Sequence, residues 1–351
     1  RAALVGLFII QIEMTCIPFE MARDGYQETR FSNAWGAAGN VAGALTLVIG
    51  IWFFPTIEFL LIAVNGSIAL AKLGNTCHLL IGRPYLFPRF SLFRKKLVPL
   101  LARDGIRFSI TYILAAAVEY NLMAFLIGRH VGPEAVGIYN VMITVHFSLT
   151  GLVVMFTKPY WPALMDAFER QDTSWITTTS NRLRLGGLLF ALLSGIGLVA
   201  LGPVILPLWA GEEFYTTAGE SFKMDRFALI CFGAYFTAHI WRHINQILAL
   251  GIGWISPVAR VVVAEAAFLI LMTGYALYQD ASVSTIYLVM AGSITLFSGW
   301  LFPLFFLRGK GNSRHLDQAE MEEALPAPMP PPARLEFKQN EGISPAAELR
   351  T

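Results

Sequence analysis

The feature that most constrains this chain is the recurrence of unbroken apolar stretches about twenty residues long. From Val136 to Met155 almost every residue is apolar or small, and about 20 such residues on an α-helix cross the roughly 30 Å hydrocarbon core of a bilayer. That stretch ends on Lys158, Pro159, Tyr160, Trp161 and Pro162, the cation, aromatics and helix breakers that a headgroup boundary selects. Comparable stretches lie at about 2–20, 33–54, 57–81, 106–128, 134–157, 184–206, 226–249, 257–278 and 284–307. Hydrocarbon offers the backbone no water to bond, so each stretch is expected to be helical. A hydrophobic fraction of 55%, 14% charged residues and a mean hydropathy of +0.56 exclude a soluble globular domain. A membrane β-barrel would instead alternate over strands of about ten residues. The expected fold class is an all-α polytopic membrane protein with about nine transmembrane helices.

Lys and Arg collect on the cytoplasmic side of membrane helices. Alternate connections on one side hold Arg23, Arg30, Arg83, Arg89, Arg94, Lys95, Lys96, Arg103, Lys158, Arg170, Arg182, Arg184, Arg308, Lys310 and Arg314. The other side holds only Arg129, Lys223 and Arg226, beside Glu134, Glu212, Glu213 and Glu220. This bias predicts a cytoplasmic C-terminus. Residues 82–104 read as a basic cytoplasmic linker, in which Leu92, Phe93, Leu97, Leu100 and Leu101 oppose Arg94, Lys95, Lys96 and Arg103 as a short helix on the headgroups would. Tyr160 to Asn181 reads as a second interfacial segment. Residues 308–351 are polar and proline-rich and read as a disordered cytoplasmic tail. Cys16, Cys77 and Cys231 sit in apolar runs without ligand spacing and read as buried thiols.

The run FLIGRH-VGPEAVGIYN, the apolar span after it and KPYWPALMDAFERQD (to Asp172), with ARDGYQETRFSNAW (Ala22 to Trp35) and ILPLWAGEE (Ile205 to Glu213), resemble the bacterial polysaccharide (O-antigen type) flippases of the multidrug/oligosaccharidyl-lipid/polysaccharide exporter superfamily. That resemblance implies a twelve-helix, two-lobe transporter with both ends in the cytoplasm. Residues 1–81 then read as the remnant of a first lobe, 82–104 as the interlobe linker and 105–307 as a second six-helix lobe, in an N-terminally truncated chain. It also implies translocation of a polyprenyl-diphosphate-linked oligosaccharide across the bacterial inner membrane. The partners it implies are that lipid, the bilayer and other polysaccharide-assembly proteins, with no nucleic acid and no cofactor.

Ionisable groups deep in a span are costly unless they face a partner or a cavity. Tyr235, His239, Arg242 and Gln246 fall at i, i+4, i+7 and i+11, one face of the seventh span. They read either as a cationic wall for a phosphate or as an internal hydrogen-bond ladder. Tyr139, His146 and Thr150 form a second stripe on the fifth span. Glu119, beside Tyr120 and Asn121 on the fourth, is the candidate ion-coupling or cavity residue, the alternative being a structural Glu bonded to a neighbouring helix. Glu265 on the eighth span has no helix-local partner. Glu13 and Glu20 flank Pro18 on the first, Glu20 within reach of Arg23. Lys158 and Arg107 complete the cations expected near a diphosphate. No GxxxxGK[ST], HExxH or GxSxG pattern occurs, so an enzyme is not expected. A membrane glycan polymerase or ligase, and a drug or cation exporter of the same superfamily, remain the alternatives.

Overall fold

The computed structural model describes residues 2–89, 93–211 and 225–309, and no strand occurs among them. Helices α1 (Ala2–Gly25), α2 (Thr29–Gly50) and α3 (Ile57–Gly82) come first. They are followed by α4 (Leu97–His130), α5 (Pro133–Thr157), α6 (Tyr160–Glu169), α7 (Thr173–Ala210) and α8 (Arg226–Gly251). Last come α9 (Ile255–Tyr278), α10 (Val283–Leu296) and α11 (Ser298–Gly309). Local chemistry sets several starts. Thr56 Oγ1, Asp172 Oδ1 and Asp225 Oδ1 accept from the backbone N–H groups of Phe59, Trp175 and Ala228 at 3.2, 2.9 and 2.7 Å, satisfying donors that a helix start leaves open. Gly132, at φ +127°, turns the chain between α4 and α5, and Pro133 then opens α5 with its φ already helical.

Seven helical stretches among the described residues are both long and apolar enough to cross a bilayer: α1, α3, α4, α5 with α6, α7, α9, and α10 with α11. The protein is thus a multi-pass, all-helical membrane protein. The other two expected spans are helices of sufficient length, 22 residues in α2 and 26 in α8. Asn33 and Asn40 in α2, and His239, Arg242, His243, Asn245 and Gln246 in α8, hold them below the apolar composition of the seven. For α8 burial compensates, because it packs against α5, α6, α7, α9, α10 and α11 and its polar groups meet protein.

Four expectations change. Tyr160–Asn181 is not one interfacial segment: α6 stops at Glu169, Gln171 takes φ +60°, and Thr173 starts a 38-residue α7 that carries the sixth span. The basic linker is partly absorbed, since α4 begins at Leu97 and runs without a break into the fourth span. Cys77 is exposed, while Cys16 and Cys231 are buried. Arg23 turns to Glu28 (3.3 Å) and to the carbonyl of Asn75 (3.3 Å), not to Glu20. The expected tail from residue 310, residues 212–224 between α7 and α8, and the linker residues 90–92 lie outside the described residues.

Extensive helix packing falls into two groups, α1 to α3 and α4 to α11. In the first, α2 meets α3 at glycines. A Cβ on Gly39 would stand 2.7 Å from Ala71 Cβ, and one on Gly43 3.2 Å from the Ala63 carbonyl oxygen. Without a hydrophobic drive between helices in lipid, such close approach supplies the contact energy. The core of the second group surrounds α8, with Phe232, Tyr235, Phe236 and Ile240 essentially inaccessible.

Candidate functional site

The site is built on an irregular stretch of α4. Ile110–Leu114 and Ala117–Leu122 are π-helical, and the wider turn re-aims side chains relative to a regular helix, a feature often found at functional sites. Glu119 lies on the second of these turns and is 3% exposed. Tyr139 Oη of α5 donates to its backbone carbonyl, which holds the turn from the adjacent helix. Its carboxylate points at α8, where the spacing of Tyr235, His239 and Arg242 delivers three side chains to one place. Arg242 Nη1 donates to Glu119 Oε1, Tyr235 Oη donates to Oε2 at 3.2 Å, and His239 Nδ1 lies 3.4 Å from Oε2.

Arg242 has a second carboxylate. Its Nη1 also donates to Glu265 Oε1 of α9 at 2.6 Å. Glu265 Oε2 in turn accepts the backbone N–H of Ser298 at 3.2 Å. Ser298 is the first residue of α11, just past the interruption at Phe297 (φ −112°, ψ −85°), so the expected ninth span is broken beside this carboxylate. A helix N-terminus carries partial positive charge and favours an anion there. Four helices, α4, α8, α9 and α11, are thereby tied through one guanidinium and two carboxylates. Arg242 is not an open cationic wall: it lies between counter-ions, 5% exposed.

His239 Nδ1 is also 3.2 Å from Arg242 Nη2. An unprotonated Nδ1 accepts from Arg242, whereas a protonated one donates to Glu119, so this nitrogen exchanges partners with its proton. His146 packs edge-on to His239 with ring centroids 4.3 Å apart. Its Nε2 is 3.2 Å from Tyr120 Oη, and its Nδ1 is buried with no partner. Tyr139 and Tyr235 stack on Tyr287 of α10 at 6.4 and 6.3 Å. Thr150 keeps a buried hydroxyl without a partner and takes no part in the cluster's hydrogen bonds.

A cavity of about 660 Å³ opens against this cluster. Glu119, Tyr120, His239, Arg242 and Gln246 form its inner wall, and Thr111, Tyr112, Trp161 and His243 extend it. Met21, Asp24 and Gly25 from the end of α1 close the other side, so both packing groups contribute. Lys158 Nζ meets Asp24 Oδ2 at 3.0 Å across this boundary; the second oxygen of Asp24 is buried without a partner. Arg107 stands one turn before Thr111, whose hydroxyl donates to its carbonyl at 2.9 Å, and is not among the lining residues.

The stripe on α8 shares one face, as its spacing suggested, and the fold brings Glu119 of α4 to that face, with Lys158 at the edge. Tyr139 and His146 sit behind them as a supporting layer. Tyr112, His243 and Asp24 were not singled out from the sequence. His243 had a usable signal, being adjacent to Arg242 and i+4 from His239. Among the described residues, no group of three or more His, Cys, Asp or Glu side chains is arranged to hold a metal ion. Comparisons of the chain with family models, curated proteins and solved structures gave no match.

Proposed function

We propose that the protein is a flippase-type transporter that moves a polyprenyl-diphosphate-linked oligosaccharide across the bacterial inner membrane, with its C-terminus in the cytoplasm and nine crossings that include α2 and α8. The observation that carries this reading is the cavity lined from both packing groups, with polar groups on its wall and the ion pair Lys158–Asp24 across its boundary. In this reading the two groups rock against each other about the cavity, as paired helical units do in many secondary transporters. The roles divide between the cations. Lys158, with a side chain 38% exposed, meets the diphosphate on entry, exchanging Asp24 for phosphate. Arg242 holds Glu119 and Glu265 in place. The proton-dependent exchange of partners at His239 is the point through which an ion gradient acts on α4 and α8. No group in the cavity is assigned a catalytic role.

Export per inserted molecule tests the division. Lys158→Gln should reach the membrane at normal levels yet accumulate lipid-linked oligosaccharide on the cytoplasmic side, and Lys158→Arg should retain most export. Unchanged surface glycan in Lys158→Gln would remove the proposed phosphate contact. A second reading, export of an amphipathic cation, draws on the two carboxylates facing one guanidinium and on the unpartnered oxygen of Asp24. Under it, tetraphenylphosphonium binds the wild type and not Glu119→Gln; under the flippase reading neither binds it.

A further inference from the structure

Helix α8 has a second face, turned away from Glu119, where it crosses α7. At the crossing a Cβ on Gly195 would lie 3.5 Å from Gly233 Cα, so the backbones touch and no side chain fills the space beside them. A groove of about 830 Å³ runs along this contact over Gly195, Ala200, Gly233, Ala234 and Ala238, open to the surface between the exposed Ile196 and Ile230. Arg226 stands at one end of it and Trp241 at the other. The fifteen residue steps from Arg226 to Trp241 rise about 22 Å, at about 1.5 Å per step.

We infer that this groove is a binding site for a phospholipid, with an acyl chain laid along the small residues and the phosphate held by Arg226. The observations select this occupant in three steps. With α7 and α8 both crossing the bilayer, as proposed above, the groove opens on hydrocarbon, which does not leave apolar space empty, and small residues on two helices let a chain sink between them instead of gliding over their side chains. A depth of about 22 Å exceeds one leaflet, half of the roughly 30 Å core, so a whole acyl chain fits below the headgroup level. The charge lies at the end where the phosphate belongs: Arg226 is exposed at the start of α8, and a guanidinium takes phosphate oxygens in a forked arrangement. The α8 N-terminus does not compete for that role, since Asp225 Oδ1 already occupies the Ala228 N–H at 2.7 Å. At the deep end the Trp241 ring is fixed by its Nε1–H bond to the Gly299 carbonyl at 2.6 Å and stops the groove. The site is separate from the central cavity and does not depend on what that cavity carries.

Native mass spectrometry of the full chain, extracted from vesicles of phosphatidylethanolamine and phosphatidylglycerol, tests it. The wild type should retain one phospholipid adduct per protomer. Ala234→Trp, which fills the groove from α8, should lose it, and Ala200→Leu, a smaller fill from α7, serves if the first variant does not fold. Arg226→Gln should release the adduct at lower collision energy while melting at the wild-type temperature. Retention of the adduct in both filled variants overturns the proposal. So does an adduct with the mass of a polyprenyl lipid, or a wild-type dimer that the filled variants abolish, which would make the groove an interface with a second copy.

Discussion

The two packing groups handle charge differently. In and beside α1 to α3, Lys72–Glu13 at 3.0 Å has side chains 27% and 24% exposed and Arg83–Glu28 at 2.7 Å is similar, while Arg23, which also meets Glu28, has a side chain 3% exposed. In α4 to α11 the Glu119–Arg242–Glu265 cluster is about 5% exposed. An exposed pair is worth little because solvent or headgroups replace a lost partner, whereas a buried charge that loses its partner has no substitute. The α2–α3 contact therefore rests on close backbone approach and the α4–α8–α9 contact on a satisfied charge network, and each should fail by its own route.

The largest effect should follow loss of Arg242. Arg242→Gln leaves Glu119 and Glu265 buried without their cation, which costs about 3–5 kcal/mol by the precedent of broken buried pairs, and detergent melting should detect it. Arg242→Gln combined with Glu119→Gln and Glu265→Gln should recover much of the loss, since no unpaired charge remains. A single variant as stable as wild type would break the contrast between the groups. In the first group, Gly43→Leu should force α2 off α3 and cost about 1–3 kcal/mol, as overpacking does. Gly36→Leu, where a Cβ meets nothing within 4 Å, should be neutral.

Much of this was legible in the sequence. Apolar runs fix where helices can cross, and 3.6-residue periodicity places Tyr235, His239, Arg242 and Gln246 on one face, because both depend only on neighbours along the chain. The partners were not legible. Glu265 meets Arg242 from another helix and Ser298 from a third, and a spacing argument on one helix contains no information about either. The π-helical turns that aim Glu119 and the interruption at Phe297 carry no Pro or Gly at the irregular positions to announce them. Arg242 consequently reads as an open cation in isolation and as a bridging one in the fold.

The contrast is sharpened by the smaller effects outside the buried cluster. Asp24→Asn should change stability less than Arg242→Gln, because the Lys158 side chain it meets is 38% exposed although its own is 13% exposed, and thermal melting should place it between Arg242→Gln and the wild type. Smallest is a pH effect at Glu28. Its hydrogen bonds from Arg83, at 2.7 and 2.9 Å, hold its carboxyl below the usual carboxylate range. The folded value is the lower one, so the contribution is fully present above the unfolded value of about 4.3 and is lost as pH falls through the folded value. The difference in melting temperature between wild type and Glu28→Gln should be constant above about pH 5 and shrink in acid. A difference that grows in acid would reverse the assignment.

In the proposed function the cavity between the two groups is the transport path, and the groups separate at Lys158–Asp24. Lys158→Cys and Asp24→Cys in a chain lacking Cys16, Cys77 and Cys231 can be joined by a short, reducible bifunctional thiol reagent. Export of lipid-linked oligosaccharide per inserted molecule is then measured before joining, after joining and after reduction. The account predicts that joining stops export and reduction restores it; export that continues with the two groups fully joined would contradict it.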